Sequence, residues 1–319
     1  MGDAKKILTV DGGGIRGVFA AAIIEQMEKA VSKPAGEIFD CFYGTSTGAI
    51  LAAGLASGMT AGELKQFYLE KGSKVFEKFP WYRIVKRNLY WTYSKKALED
   101  ELKAVFKNKK IFDVQKLLSI QIKDTQTGTV AFFNNFPYTR QEYPDRNLPL
   151  WQIIRASTAA PTYFEPEANR YIDGGISSYN NPSYAAFIGA TKYLKWPMGV
   201  DKLRIYSVGT GYLPPLIPKG TLDEKTKLHM AAYIVEELMD DINLLQNQIM
   251  NRLENDRKEC WYRRYTIRFE KRSFDLFGVP IEGVDFEKIS QLDGVRYVRE
   301  LARIGEIVGQ KLVKKEDLT

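Results

Sequence analysis

The chain has 319 residues, of which 45% are hydrophobic, and it carries a formal net charge of +7. No stretch reaches the roughly 18–20 consecutive apolar residues that span a bilayer, and the N-terminus lacks the apolar core of a signal peptide. Two cysteines, Cys41 and Cys260, make a disulfide framework implausible. We therefore expect a cytoplasmic protein with a buried core whose positive charge favours anionic partners.

Strand-like and helix-like segments alternate along the chain. Residues 6–10 read as a buried strand that ends in glycines, and apolar residues at helical spacing predict a helix over residues 18–31. A second strand is predicted over residues 38–43, and a helix that is apolar on all sides over residues 49–56. Further strands are predicted at residues 117–123, 130–134, 203–209 and 265–269. This alternation predicts an α/β fold with a mostly parallel sheet, and without a linker-like segment residues 1–319 form one domain.

Two helices are predicted in the C-terminal part, over residues 226–253 and 292–312. In the first of them, apolar residues alternate three and four apart: Val235, Leu238, Ile242, Leu245, Ile249 and Leu253. This spacing suits pairing with another helix in a homo-oligomer, and it equally suits a long helix that lies on its own domain. Both interpretations stay open.

The segment Gly44-Thr45-Ser46-Thr47-Gly48 fits the pattern G-x-S-x-G between a predicted strand and a predicted helix. That context is the one required by a nucleophile elbow, a tight turn that needs small residues at Gly44 and Gly48 and exposes the serine hydroxyl above the sheet. The alternative is a phosphate-binding or merely structural turn.

A serine nucleophile needs a base, and the single histidine, His229, lies in the polar start of a long helix without special surroundings. The best candidate is Asp173, where a short apolar run ends in an acid followed by two glycines. A partly desolvated carboxylate within hydrogen-bond reach can accept the serine proton directly. The alternative is an ordinary Asp-Gly turn.

The glycine-rich turn at residues 11–17 allows two interpretations. Gly12, Gly14 and Gly17 satisfy G-x-G-x-x-G, the dinucleotide-binding pattern, with Glu37 or Asp40 at a suitable distance for a ribose. Alternatively, the backbone N–H groups of Gly12, Gly13 and Gly14 form an oxyanion hole, and Arg16 attracts a phosphate head group or steadies the loop.

The motifs together, in this order, resemble the patatin-like phospholipase family. The resemblance rests on D-G-G-G-x-R-G at residues 11–17, G-T-S-T-G at 44–48, the segment 155–164, D-G-G at 173–175 and Asn180-Asn181-Pro182. It covers residues 5–211, whereas the part from about residue 222 to 319 matches no motif and has no assigned role.

The resemblance implies a three-layer α/β/α fold and a serine acyl hydrolase that cleaves phospholipid esters. Ser46 would be the nucleophile, Asp173 the base, and Gly12, Gly13 and Gly14 the oxyanion hole, with no metal or cofactor. Some members of the family are effectors of bacterial antiphage systems that a cyclic nucleotide activates, so a cyclic oligonucleotide is an expected partner.

Aromatic and basic residues are interleaved between residues 75 and 96, including Trp81, Tyr82 and Trp91. Aromatic rings settle at head-group depth and cations meet anionic lipid, so this mixture predicts peripheral association with a phospholipid membrane, or a lid over the active site. Ordinary packing is the alternative, and a nucleic-acid polymer is the least favoured partner.

Overall fold

A computed structural model describes residues 4–76, 91–137, 147–213 and 227–319, with the backbone alone for part of residues 227–236. In the described residues the strands are β1 (Lys5–Val10), β2 (Cys41–Thr45), β3 (Leu117–Asp124), β4 (Val130–Asn134), β5 (Tyr171–Asp173), β6 (Leu203–Val208) and β7 (Trp261–Tyr265). They form one sheet in the order β4-β3-β2-β1-β6-β7, in which β5 pairs with β3. All pairs are parallel except those of β3 with β4 and β5. The predicted mostly parallel sheet is confirmed.

The helices connect these strands and follow them. They are α1 (Gly17–Val31), α2 (Ala35–Ile38), α3 (Thr47–Ala56), α4 (Ala61–Val75), α5 (Lys95–Phe106), α6 (Leu150–Ser157), α7 (Ser183–Ile188), α8 (Lys227–Asn255), α9 (Lys271–Phe277), α10 (Phe286–Ser290), α11 (Val298–Leu312) and α12 (Lys315–Leu318). Among the described residues, no helix is both long and apolar enough to cross a membrane.

Apolar side chains cover both faces of the sheet, as buried parallel strands require. Leu8 and Phe42 belong to a large cluster with α1, α3, α4 and α11. Their neighbours Ile7 and Tyr43 belong to a smaller cluster with α7 and α8. Because successive side chains of a strand point to opposite faces, the two clusters lie on opposite sides of the sheet. The three-layer α/β/α architecture is thereby confirmed.

Three predicted elements differ from the structure. The strand predicted over residues 38–43 begins only at Cys41, because Ala35–Ile38 is a short helix. The strand predicted over residues 265–269 lies at Trp261–Tyr265 instead, where it pairs in parallel with β6. The last long helix begins at Val298 rather than at residue 292, since a 3₁₀ turn at Val295–Tyr297 precedes it.

The long helix α8 packs on its own domain with a face different from the predicted seam. Met239, Gln246 and Met250 are buried, whereas Leu238 and Leu245 of the seam are 45% and 53% exposed. The buried face binds the segment that follows β5, because the Gln246 side chain donates to the carbonyl of Ser178 at 2.7 Å. The helix therefore supports the edge of the sheet where Asp173 lies.

Candidate active site

Ser46 lies at a sharp turn between β2 and α3. Its backbone has φ 55° and ψ −125°, a conformation that costs a non-glycine residue roughly 1–3 kcal/mol and is typical of functional sites. The turn needs glycine on both sides of the serine: a Cβ at Gly44 would lie 2.1 Å from the carbonyl oxygen of Gly48, and one at Gly48 would lie 2.2 Å from that of Val10. The two predicted elbow glycines therefore have a steric reason to be glycine.

A second serine holds this strained turn. The N–H of Ser46 donates to Ser157 Oγ at 2.9 Å, and Ser157 Oγ donates to the carbonyl of Gln121 at 2.7 Å. Ser157 is fully buried at the end of α6. Its hydroxyl thus ties the backbone of Ser46 to β3, a role that the sequence interpretation did not assign.

Strand β3 brings Ser46 and Asp173 together. Its residue Gln121 pairs with Thr45 of β2, and the next residue, Ile122, pairs with Asp173 of β5. Since Ser46 directly follows Thr45, it meets the end of β5. Ser46 Oγ donates a hydrogen bond to Asp173 Oδ2 at 2.6 Å, which is the reach that a general base needs.

The surroundings of Asp173 suit a base that works near neutral pH. The residue is 3% exposed, and burial raises the pKa of its carboxyl to about 7. Hydrogen bonds from Ser46 and from the N–H of Gly175, together with the charge of Arg155, oppose that rise. A carboxylate with a pKa near the working pH can accept a proton and return it.

The glycine loop lies beside this pair. A Cβ at Gly12 would lie 2.3 Å from Asn180 Oδ1 and 3.1 Å from Ser46 Cβ, so a side chain at this position would crowd both residues. The N–H of Gly12 already donates to the carbonyl of Asn180 at 3.2 Å. No acceptor for the N–H groups of Gly13 and Gly14 is found within the described ranges. Two of the three predicted glycine donors are thus open to an oxyanion, and Gly12 is engaged.

Arg16 belongs to the loop itself. It is 6% exposed, and its Nε donates to the carbonyl of Gly13 at 3.3 Å. A head group outside the protein cannot reach a guanidinium buried in this way, so the geometry favours the interpretation in which Arg16 steadies the loop.

One further backbone donor lies next to the nucleophile. Thr47 is the first residue of α3, and the first N–H groups of a helix have no partner within the helix. In the part of the chain that the structure describes, no other group accepts from the N–H of Thr47. The nucleophile-elbow motif could have indicated this donor, because the residue after the serine commonly supplies one.

A largely apolar pocket opens at the serine. The pocket is open to solvent at its mouth, and Ser46, Thr47 and Asp173 lie in its wall. Helices α3, α4 and α5 and the segment before β5 line the rest with apolar side chains, among them Ile50, Phe67, Val75, Phe76, Leu98, Tyr163 and Phe164. Such a wall suits a hydrocarbon chain whose carbonyl end reaches the serine.

The predicted interface residues are only partly covered by the described structure. Trp81 and Tyr82 lie outside the described residues. Trp91 is half-buried, and beyond it Tyr93 donates its N–H to the carbonyl of Tyr163 at 2.9 Å. Trp91 therefore lies two residues before Tyr93, which is bound to Tyr163 of the pocket wall.

The dinucleotide-binding alternative finds no support in the geometry. The N–H of Ile15, at the start of the helical segment where a pyrophosphate would bind, donates instead to the carbonyl of Leu292 at 2.8 Å. Asp40 accepts a hydrogen bond from the N–H of Lys6 at 2.9 Å, which places it near the start of β1, whereas the glycines follow its end. A ribose-binding acid would have to lie at the same edge of the sheet as the glycines.

The basic residues between positions 257 and 264, before and within β7, differ in their exposure to solvent. Arg257 and Arg263 have side chains that are 70% and 49% exposed, but that of Arg264 is 14% exposed and binds Asp11. Arg264 is largely buried because it lies in β7, where it pairs with Ser207 of β6 inside the sheet. No group of three or more His, Cys, Asp or Glu side chains placed to hold a metal ion occurs among the described residues.

Comparison with known proteins places these features in a family. The family model described as Patatin-like phospholipase matches residues 8–187, which is more than half of the chain. A cGAMP-activated phospholipase of Escherichia coli is 28% identical over 220 residues, which cover 65% of this chain and 61% of the relative. The chain thus spans less than two thirds of that relative's length.

Two eukaryotic relatives extend the comparison. Calcium-independent phospholipase A2-gamma of Mus musculus is 34% identical over 226 residues, which cover 65% of this chain and 28% of the relative. Probable inactive patatin-like protein 9 of Arabidopsis thaliana is 27% identical over 295 residues, which cover 83% of this chain and 74% of the relative.

Proposed function

The chain belongs to the patatin-like phospholipase family, and we propose that it is a serine acyl hydrolase that cleaves phospholipid esters with Ser46 and Asp173. The observation that carries this proposal is the 2.6 Å hydrogen bond from Ser46 Oγ to the buried carboxylate of Asp173, at the wall of an apolar pocket. The two phospholipase names among the relatives support the same reaction class.

The reaction that this geometry supports has two steps. Asp173 accepts the proton of Ser46 while Oγ attacks the acyl carbonyl, and the N–H groups of Gly13, Gly14 and Thr47 stabilise the oxyanion of the tetrahedral intermediate. Asp173 then donates the proton to the leaving alkoxide, so that lysophospholipid departs and the acyl group stays on Ser46. In the second step Asp173 takes a proton from water, the resulting hydroxide attacks the acyl ester, and the proton returns to Ser46 as the fatty acid leaves.

We also propose that the enzyme acts at a membrane surface and that a cyclic nucleotide activates it. The net charge of +7 favours anionic lipid, and Trp81, Tyr82 and Trp91 are the proposed interface residues. The name of the Escherichia coli relative, cGAMP-activated phospholipase, supports the choice of activator.

The test is fatty-acid release from anionic phospholipid vesicles by the wild type, Ser46→Ala and Asp173→Ala, with and without cGAMP. We expect fatty-acid release by the wild type and none by either variant, and a higher rate of release by the wild type when cGAMP is present. Labelling by a fluorophosphonate, which reacts with nucleophilic serines, should occur in the wild type and fail in Ser46→Ala. A wild type that neither hydrolyses lipid nor takes the label under either condition would refute the proposed activity.

The interface is tested separately with Trp91→Ala. We expect weaker sedimentation with anionic vesicles and slower vesicle hydrolysis, but unchanged turnover of a short-chain soluble ester, because the chemistry does not depend on the interface. Unchanged sedimentation and vesicle turnover would remove Trp91 from the interface.

A further inference from the structure

The glycine loop depends on its neighbours for its position, because Gly12, Gly13 and Gly14 have no side chains with which to anchor it. The carbonyl of Gly12 accepts a hydrogen bond from Thr210 Oγ1 at 2.9 Å, and the N–H of Ile15, just after the loop, donates to the carbonyl of Leu292 at 2.8 Å. Thr210 and Leu292 both lie beyond residues 8–187, the part matched by the family model.

The strongest of these anchors is the ion pair between Arg264 and Asp11. Asp11 directly precedes the loop, and its side chain is 1% exposed. Arg264 Nη1 donates to Asp11 Oδ1 at 2.8 Å, and Nη2 donates to Oδ2, so the guanidinium binds both carboxylate oxygens. Such a two-pronged pair fixes the direction of the carboxylate as well as its distance.

The pair is held in turn by strands β6 and β7. Arg264 Nη1 also donates to Ser207 Oγ at 2.7 Å, and the N–H of Asp11 donates to the carbonyl of Val208 at 3.1 Å. Burial raises the pKa of Asp11, and the guanidinium of Arg264 opposes that rise. Burial also disfavours the charge of Arg264, but the carboxylate outweighs it and raises the pKa of the guanidinium. Each charge thus keeps the other in the interior, and removing one leaves a buried charge unpaired.

We infer that Arg264 is a positioning residue for the oxyanion hole: through Asp11 it sets where the N–H groups of Gly13 and Gly14 lie relative to Ser46. This gives the part of the chain after the family match a role in catalysis, and it rests on the proposed function. A shift of the Asp11 side chain would rotate the peptide planes that follow it, and oxyanion stabilisation is sensitive to such shifts because it requires donors about 2.7–3.1 Å from the oxyanion.

The inference is tested with Arg264→Lys, which keeps the charge but loses the two-pronged geometry, and with Arg264→Gln. Two quantities are measured on a soluble ester: kcat and KM, and the inhibition constant of a trifluoromethyl ketone analogue, which forms a tetrahedral adduct with the serine. We expect kcat to fall about 10- to 100-fold, less than or equal to the loss of one oxyanion donor. The ketone should bind more weakly by a similar factor, while KM stays within about threefold.

Lys65→Gln is the matched control. Lys65 Nζ makes two ion-pair contacts, as Arg264 does, but to two different carboxylates, those of Glu25 at 2.7 Å and Glu306 at 2.6 Å, and its side chain is 15% exposed. It is an ion-paired cation of similar burial, and none of its ion pairs within the described ranges involves the glycine loop. We expect this variant to lose stability but to keep kcat and ketone affinity.

Three results would overturn the inference. One is an Arg264→Lys enzyme with wild-type kcat and ketone affinity; another is a fall in kcat without any weakening of the ketone. The third is a loss of activity that disappears when rates are divided by the folded fraction, measured by fluorophosphonate titration of Ser46. If the wild type itself is inactive and unlabelled, the proposed function fails and this inference fails with it, which distinguishes that outcome from the other three.

Discussion

Residues 8–187 and the residues after them serve the candidate site in different ways. In the first part, Ser46 and Asp173 each end or directly follow a short strand, and each lies within its own motif. In the second part, Thr210 and Arg264 form no hydrogen bond with either of them among the described residues; Thr210 binds the carbonyl of Gly12, and Arg264 binds Asp11 just before the glycine loop. In the proposed mechanism the first part supplies the reacting groups, and the second part holds the backbone around them.

The difference predicts two kinds of damage. Substitutions of reacting groups should abolish turnover in a protein that stays folded. Substitutions of the residues that anchor the glycine loop should leave the reaction mechanism unchanged but slow the reaction. The rate should fall further as the oxyanion donors are displaced further, because the stabilisation of the transition state depends on the positions of these donors.

The largest effect is expected from Asp173→Asn. An amide cannot accept the serine proton, so turnover of a soluble ester should fall about 10³-fold, within the range known for general bases. The fold should survive because the amide is isosteric with the carboxyl group. Circular dichroism and ester hydrolysis, measured on the same preparation, check both points.

Asp124→Asn is the control for that variant. Asp124 lies at the end of β3, is 4% exposed and is bound by Arg170 at 2.7 Å. The bond from Arg170 lowers the pKa of Asp124 to about 2, so this carboxylate is a poor base. Its loss should change turnover less than about threefold; equal damage from the two variants would show that a buried charge, rather than a base, had been lost.

The pH profile should reveal the same base with a somewhat smaller effect. Because the pKa of Asp173 is raised to about 7 by burial, its ionised form decreases tenfold with each pH unit below that value. The rate of Ser46 labelling by a fluorophosphonate should therefore fall about 50-fold from pH 7, where half of the carboxyl groups are ionised, to pH 5, and it should level off above pH 8. A rate that stays flat down to pH 5 would contradict the raised pKa.

Stability should change in the opposite direction to activity. The carboxyl of Asp173 binds its proton more tightly in the folded state, with a pKa of about 7, than at its ordinary value of 3.8. Its contribution to stability is therefore complete below pH 4, declines as the pH rises to 7 and is absent above. Asparagine does not titrate, so Asp173→Asn should gain stability across that window, by at most about 4 kcal/mol at pH 8. Urea unfolding at pH 4 and pH 8 measures the gain, and an equal gain at both values would exclude this cause.

The smallest effect is expected from an anchor, Thr210→Val, which removes the hydrogen bond to the carbonyl of Gly12 and keeps the shape. We expect kcat to fall about three- to tenfold, since one neutral hydrogen bond contributes about 1 kcal/mol. Thr9→Val is the control, because Thr9 is equally buried in β1 and donates to the carbonyl of Tyr206 at 3.5 Å. If both variants lose the same amount of activity, the anchor has no special role.

The reacting groups were predictable because each depends on local sequence. Single turns contain the small residues on both sides of Ser46 and the two glycines after Asp173. The alternation of strands and helices is likewise visible in short stretches of the sequence. The anchors were not predictable in the same way. Arg264 reaches Asp11 only because β6 lies between β1 and β7 in the sheet. This strand order could not be predicted from the sequence.

Errors in the predicted elements have a related cause. The apolar run at residues 38–43 has the composition of a strand, but Pro34 and the carboxylate of Glu28, which accepts the N–H of Ala35 at 2.8 Å, begin a helical turn there. In the range 265–269, Tyr265 is the last residue of β7, whereas Ile267 and Phe269 pack in the core without belonging to the strand. In both places tertiary contacts outweigh local preference.

The pairing of β3 with both β2 and β5 has a consequence for how this protein can fail. Successive residues of β3, Gln121 and Ile122, pair with Thr45 and Asp173. The distance between Ser46 and Asp173 is therefore set by the strand register, which can shift only by whole residues. A slip of β5 by one residue would turn the carboxylate to the other face of the sheet. Damage to this pairing should then yield a mixture of fully active and wholly inactive molecules. Titration of reactive serines would show a reduced active fraction in which each remaining site turns over at the full rate.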